Sequence, residues 1–222
     1  MCRILAAKYQ NNTSPLQHIK AFSSMAQKSK APDGDWQGDG WGIAWRNQNN
    51  TWQQYTSLKP IWQDQEMFSK IPPTNFLAIH ARSASFPQHK DIIEFNQPFI
   101  QNDTAFLFNG IIRKVTFPYS LPGRIGSQKL HALYHKLRPS YSPQETLKQI
   151  KSLLKQHAQE IQACNITVID EDNLHALSMF TSNPQYYALR YYQTSEYMII
   201  SSEELNNLPT PAIMSSEEII TL

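Results

Sequence analysis

Apolar residues fall in short blocks along this chain, and the period of the pattern changes twice. CRILAA (2–7) is a compact apolar run that predicts a buried strand with Cys2 at its start. Ser14-Pro15-Leu16-Gln17 carries the S-x-x-Q capping pattern with proline at the first helical position, so a helix is expected from there to about Lys30. WGIAWR and TWQQYTS predict paired strands. NFLAIHARS (75–83) and TAFLFNG (104–110) predict further strands, apolar enough to be buried on both faces. The period turns helical in GSQKLHALYHKLR (126–138), where Leu130, Leu133, Tyr134 and Leu137 share a face. Ser142-Pro143-Gln144-Glu145 is a second capping box and opens a helix through about Glu160. CNITVID, LHALSMF, YYALRYY and YMIISS then read as strands, split by turns such as Asp170-Glu171-Asp172-Asn173. This order predicts an α+β fold in which two antiparallel sheets and helices pack as layers. With no internal repeat or interdomain linker, residues 1–222 read as a single domain.

Composition narrows the class of function. A formal net charge of +2 with no long basic run gives no electrostatic footprint for nucleic acid. The only cysteines are Cys2 and Cys164, which excludes a disulfide framework and fits a reducing compartment. The apolar stretch at the start is too short for a signal peptide, and no segment approaches a membrane span, so a cytoplasmic protein without membrane contact is expected. All seven glycines lie between Gly34 and Gly126, four of them within Gly34–Gly42, so special backbone geometry concentrates in the first half.

Candidate chemistry starts at Cys2. Removal of Met1 leaves a thiol and an α-amine on one residue, groups that ordinarily titrate near ~8.5 and ~8. An N-terminal amine can activate such a nucleophile. By itself a second-position cysteine is more often a small apolar residue, or a lipidation site. Asn109-Gly110 ends an apolar strand, where it can aim one side-chain and one main-chain N–H the same way; read alone, it is a hairpin turn. Arg82 is either a carboxylate clamp or a strand-end arginine paired with a structural acid. His80 shares its side of the strand and is at least as consistent with a buried structural histidine.

Taken in order behind Cys2, GDGWGIAW (38–45), IHARSAS (79–85), NQPF (96–99) and FLFNG (106–110) resemble class II glutamine amidotransferases, which are N-terminal-nucleophile hydrolases. The likeness is nearest to the small stand-alone members of the γ-glutamyl amide hydrolase type. Asp170 to Leu177 resembles the family's DG-x-L-x-A hairpin, and IISSEEL (199–205) its late VSSE-x-L strand. The resemblance implies a four-layer α/β/β/α sandwich of two antiparallel sheets, without cofactor or metal. It implies Cys2 as nucleophile, Asn109 and Gly110 as oxyanion donors, and Arg82 on the substrate α-carboxylate with His80 supporting the pocket. Asp39, Trp41 and Gly42 match the D-G-W-G segment and are expected to build the site rather than react. Gln128 stands where the family carries an aspartate for the α-ammonium. A neutral amide supplies no opposite charge, so glutamine binding is expected to be weak unless Glu94 or Asp91 substitutes.

The expected activity is therefore hydrolysis of glutamine or a γ-glutamyl conjugate through a Cys2 thioester, releasing ammonia or an amine. The expected partners are a small-molecule γ-glutamyl amide and, with no room left for a synthase domain, a separate synthase or peptidase protein. Two rivals stand beside it: an N-terminal-cysteine amidase for a non-glutamyl amide, and a non-catalytic binding or regulatory subunit that keeps the fold. His131 and His135 have i, i+4 zinc spacing, but no third ligand stands out. Cys164 reads as a buried inert thiol, and Tyr186, Tyr187, Tyr191 and Tyr192 as sheet packing.

Overall fold

Strands that are apolar at consecutive positions need a cover on both faces, and this chain supplies it by stacking two sheets between helices. The computed structural model describes residues 1–29, 34 and 36–222. Strand β1 (Arg3–Thr13), helix α1 (Leu16–Lys28), β2 (Trp41–Arg46), β3 (Trp52–Ser57), β4 (Thr74–Ala81), β5 (Phe99–Gln101) and β6 (Thr104–Val115) come first. Helices α2 (Gly126–Leu137) and α3 (Pro143–His157) follow, then β7 (Ala158–Asp170) and β8 (Asn173–Ser178). A single helical turn, α4 (Pro184–Tyr187), precedes β9 (Arg190–Gln193), β10 (Tyr197–Ser201), β11 (Ala212–Ile213) and β12 (Glu218–Thr221). One sheet has the order β11-β9-β10-β1-β4-β2-β3 and the other β12-β8-β7-β6-β5. Neighbouring strands run antiparallel, with β1 central between β10 and β4.

The alternation of β1 shows how the layers form. Leu5 and Ala7 face α1, where Ile19, Phe22 and Met25 pack with Ile43, Leu77 and Ile79. Ile4 and Ala6 face the second sheet and meet Ala78, Ala105, Leu107, Ile169 and Ala176. Four alanines in that gap let the two sheets approach closely. On the far side Leu130, Leu133, Leu147, Ile150 and Leu154 of α2 and α3 cover Phe106, Ile166 and Val168. The result is the α/β/β/α sandwich of two antiparallel sheets.

Several elements depart from the sequence reading. The Ser14 cap does not form: α1 is opened by Pro15 with no side-chain cap, because β1 runs on through Thr13 and Ser14 belongs to the turn. The expected end near Lys30, and Pro32, Asp33 and Asp35 of the glycine-rich loop, lie outside the described residues. The Ser142 cap does form, with its Oγ accepting from Glu145 N–H at 3.3 Å. Helix α3 ends earlier than Glu160, since Ala158 and Glu160 pair with Val115 and Arg113 of the long β6. YYALRYY is split: Asn183 at φ 49 and Pro184 set a helical turn, and strand resumes at Arg190. Tyr191 and Tyr192 pack on the sheet as expected, whereas Tyr186 and Tyr187 sit on that turn beside Met1. At the end of β4 away from Ala81, Arg46 clamps the two sheets through Asp172 and, at 3.2 Å, Asp103.

Buried histidines make this fold sensitive to acid. Burial, with the Arg82 charge adding to it, pushes His80 down to about 3, and burial holds His18 at about 4. Unfolded, each titrates near ~6.5, so between those values the unfolded chain binds the extra proton and stability rises with pH. The stability carried by the neutral rings is complete above ~6.5 and is lost as the pH falls toward ~4. The unfolding free energy from urea titrations is expected to drop on going from pH 7 to pH 5, by about 1 to 2 kcal/mol for each ring. An unchanged stability would show that these rings take up protons as readily in the native state as in the unfolded chain.

Candidate active site

Cys2 stands at the mouth of β1 and, by the alternation that turns Ile4 and Ala6 inward, faces the gap between the sheets. Its Sγ accepts from the Ser83 backbone N–H at 3.4 Å, and the thiol lies 3.5 Å from the Ser83 carbonyl. Ser83 is in place because β4 pairs with β1 up to Arg3 and Ala81, and the chain then passes beside Cys2.

Asn109 comes from the facing sheet. Ala105 and Leu107 of β6 point into the gap, so Asn109 does too, and its side-chain amide donates to the Cys2 carbonyl. That bond uses one of the two amide hydrogens. The Asn109 Oδ1 is buried and finds no partner among the described residues. Next to it, Gly110 pairs with Cys164, whose N–H donates to Met179 on the β8 side at 2.7 Å. The Gly110 peptide therefore turns its N–H the other way, toward the edge where β5 has already ended. A side chain is excluded at Gly110, because a Cβ would lie 2.4 Å from the Ala163 carbonyl.

Arg82 is buried and its guanidinium is engaged. It donates to the carbonyls of His89 and, at 2.9 Å, Ile92, and at 3.2 Å to Asn96 Oδ1. It thus gathers the 83–96 loop around itself. Asp39 fixes the start of that loop: its carboxylate accepts from Ala84 N–H at 2.8 Å and lies 3.5 Å from the Lys90 ammonium. Gly42 pairs with His80 across β2 and β4, and a Cβ there would meet the Gln97 carbonyl at 2.2 Å. His80 accepts from the Gln97 N–H at 3.4 Å, which makes its Nε2 the protonated nitrogen, buried and without a partner among the described residues. Trp41 is placed on the opposite face, donating to Asp64 at 3.0 Å within the α1 layer.

Gln128 sits apart from these groups. Its Oε1 accepts from Arg124 N–H at 2.8 Å, tying down the start of α2, and its Nε2 lies 3.5 Å from the Glu94 carbonyl. It lines a cleft of about 540 Å³ together with Glu94, Asn96 and His131, and Cys2, Arg82 and Asn109 are not among the walls. His131 and His135 stack edge-on at 4.7 Å, and His135 meets Thr104 at 3.1 Å. Among the described residues no three metal-ligating side chains cluster. Cys164 is fully buried, which pushes its thiol up to about 12.

Three residues at the site had no role in the sequence reading. Ser83 contributes a backbone N–H, which no side-chain pattern announces. Asn96 lies in the NQPF motif and bridges Arg82 to the Trp41 and Ser57 carbonyls, at 3.3 and 2.8 Å. Gln37 is fully buried beside the N-terminus, where its Nε2 donates to the Met1 carbonyl at 2.9 Å. Its Oε1 finds no partner among the described residues. A glutamine in a polar loop carried no signal for that placement.

No family model and no curated protein matches the sequence. Solved structures do match in fold. A glutamine aminotransferase class-II domain protein from Silicibacter pomeroyi superposes with a TM-score of 0.62 at 14% identity, covering 99% of this chain and 94% of that one. A predicted glutamine amidotransferase from Pseudomonas aeruginosa gives 0.52 at 14% identity, over 100% and 93% of the two chains. The glutamine phosphoribosylpyrophosphate amidotransferase of B. subtilis gives 0.60 at 15% identity; 90% of this chain matches 42% of that larger one. The structural neighbours are thus class II glutamine amidotransferase domains, and the chain has their N-terminal-nucleophile fold.

The Arg82 geometry makes a prediction about the loop. A lysine keeps the charge but cannot fork between His89, Ile92 and Asn96. Arg82→Lys is expected to cost about 2 kcal/mol of stability and to speed hydrogen exchange across residues 84–96 selectively. Exchange at the wild-type rate there would show that the guanidinium does not hold the loop.

Proposed function

We propose that this chain is an N-terminal-cysteine amidohydrolase of the class II glutamine amidotransferase type, acting on γ-glutamyl amides after Met1 is removed. One observation carries the reading: Asn109 of one sheet lies on Cys2 of the other while the Ser83 N–H points at the thiol. A free amine on Cys2 takes the thiol proton, and the thiolate attacks the amide carbon as the C–S bond forms. The second hydrogen of the Asn109 amide and the Gly110 N–H receive the oxyanion. The Cys2 ammonium then protonates the leaving nitrogen as the C–N bond breaks, and water hydrolyses the thioester to regenerate the thiol.

Arg82 binds the substrate α-carboxylate in this reading. A carboxylate adds its own charge and a two-bond fork to what neutral carbonyls offer a guanidinium, so it displaces the loop carbonyls now on Arg82. His80, kept neutral by burial, adds no competing positive charge beside it. Gln37 positions the base. When Met1 leaves, its Nε2 loses an acceptor, and its Oε1 becomes a partner for the new amine.

The first test is intact mass before and after exposure to an electrophilic diazoketone analogue of glutamine. Loss of Met1 and one adduct on Cys2 are expected; a Met1-free chain that stays unmodified would overturn the γ-glutamyl assignment. Cys2→Ala is expected to abolish turnover with the fold intact, and Asn109→Ala to lower kcat by about 10²–10³. Gln37→Leu is expected to lower kcat about tenfold with little change in KM. An unchanged kcat would remove its positioning role without touching the rest. A second reading, a non-catalytic subunit keeping the fold, is favoured by the burial of Met1 and its bond to Gln37. A retained Met1 in the same mass measurement would decide for it.

A further inference from the structure

Met1 is buried, 6% exposed, in an apolar nest formed by Ile111, Ala163, Phe180, Tyr186 and Tyr187. We infer that this nest becomes the leaving-group pocket once Met1 is gone, and that the preferred substrates are γ-glutamyl amides of unbranched apolar amines rather than glutamine itself. The inference rests on the reading above, in which the Cys2 amine protonates the leaving nitrogen. A proton donor must sit within hydrogen-bond reach of the atom it protonates. The Met1 carbonyl is bonded to that same nitrogen, so a substituent on the leaving nitrogen starts beside the place where Met1 starts. It then follows the direction that the Met1 side chain takes.

The walls do not depend on Met1 to stand. Ile111 and Ala163 face each other across β6 and β7, and Ala163 forms a bridge with Phe180. The Tyr187 hydroxyl accepts from Gln162 at 2.6 Å, and the Arg3 guanidinium stacks on the Tyr186 ring at 4.0 Å. These contacts come from strand pairing, a hydrogen bond and a cation over a ring, and all survive processing. The nest therefore keeps an opening shaped for an unbranched chain of methionine length. Its apolar lining rewards a buried methylene and penalises a buried polar group that finds no partner. Ammonia, the leaving group of glutamine, fills none of it.

The test compares kcat/KM for L-γ-glutamyl-n-butylamide, its hydroxyl-ended analogue and glutamine, using protein shown by mass to lack Met1. The butylamide is expected to exceed glutamine by at least about tenfold and the hydroxyl-ended amide to fall well below it. Ile111→Trp fills the nest from its half-buried rim and is expected to bring the butylamide-to-glutamine ratio down toward one. If that variant fails to fold, Ala163→Leu on the facing strand reads the same ratio. A wild-type enzyme that labels at Cys2 and hydrolyses glutamine with no preference for the butylamide would overturn the pocket and leave the catalytic reading standing. Absence of Cys2 labelling and of turnover on every γ-glutamyl amide would overturn both.

Discussion

The bond from the Asn109 side chain to the Cys2 carbonyl is the contact on which the rest of the site depends, because it is made across the gap between two sheets. Either residue alone is ordinary: Cys2 precedes β1, and Asn109 lies within β6, which runs on past the Asn109-Gly110 expected to end it. Together they fix how far the mouth of β1 stands from β6, and with it the position of the thiol relative to Gly110. At the other end of the sandwich Arg46 makes the corresponding clamp with Asp103 and Asp172. Between the clamps the gap is filled by alanines and aliphatic residues that have only one close packing distance. A site assembled from two sheets inherits its precision from that packing, with no loop needed to set the distance between Cys2 and Asn109.

The same gap explains why so many polar atoms near Cys2 are buried and unpaired. His80 Nε2, Asn109 Oδ1 and Gln37 Oε1 all lack partners among the described residues. Each unsatisfied buried group costs about 1–3 kcal/mol; Arg46 Nε, His131 Nε2 and Thr167 Oγ1 are unpartnered among the described residues as well, whereas Gln97 is satisfied by the peptide of Phe108. In the proposed reading, those beside Cys2 are met by groups brought by substrate or uncovered by processing.

The sequence was most legible where short-range physics decides. The β2 and β3 strands, the Ser142 cap of α3 and the inward apolar positions of β1 and β6 follow from alternation and capping alone. Long-range pairing overruled it elsewhere: Ala158 to Glu160 left the helix for β6, and the polar stretch from Lys8 to Thr13 became strand because neighbours were available. Edge strands β5, β11 and β12 are too short to leave a pattern. For the site, the ordered motifs singled out Asn109, which the fold brings onto Cys2, but they gave no sign of the residues' present engagements. That Arg82 would be spent on loop carbonyls, and Gln128 on the start of α2, depends on loop paths no motif encodes.

Met1 links these observations. While it remains, the Cys2 nitrogen is an amide without basicity, the Gln37 amide is occupied by the Met1 carbonyl, and the apolar nest is full. Removing one residue changes all three at once, and none of the changes asks the sheets to move. The proposed catalytic state therefore needs no refolding, only the loss of a methionine whose contacts trace where a substrate would lie. On the proposed reading, a fold that holds its own first residue as it would later hold a leaving group carries its specificity in the unprocessed chain.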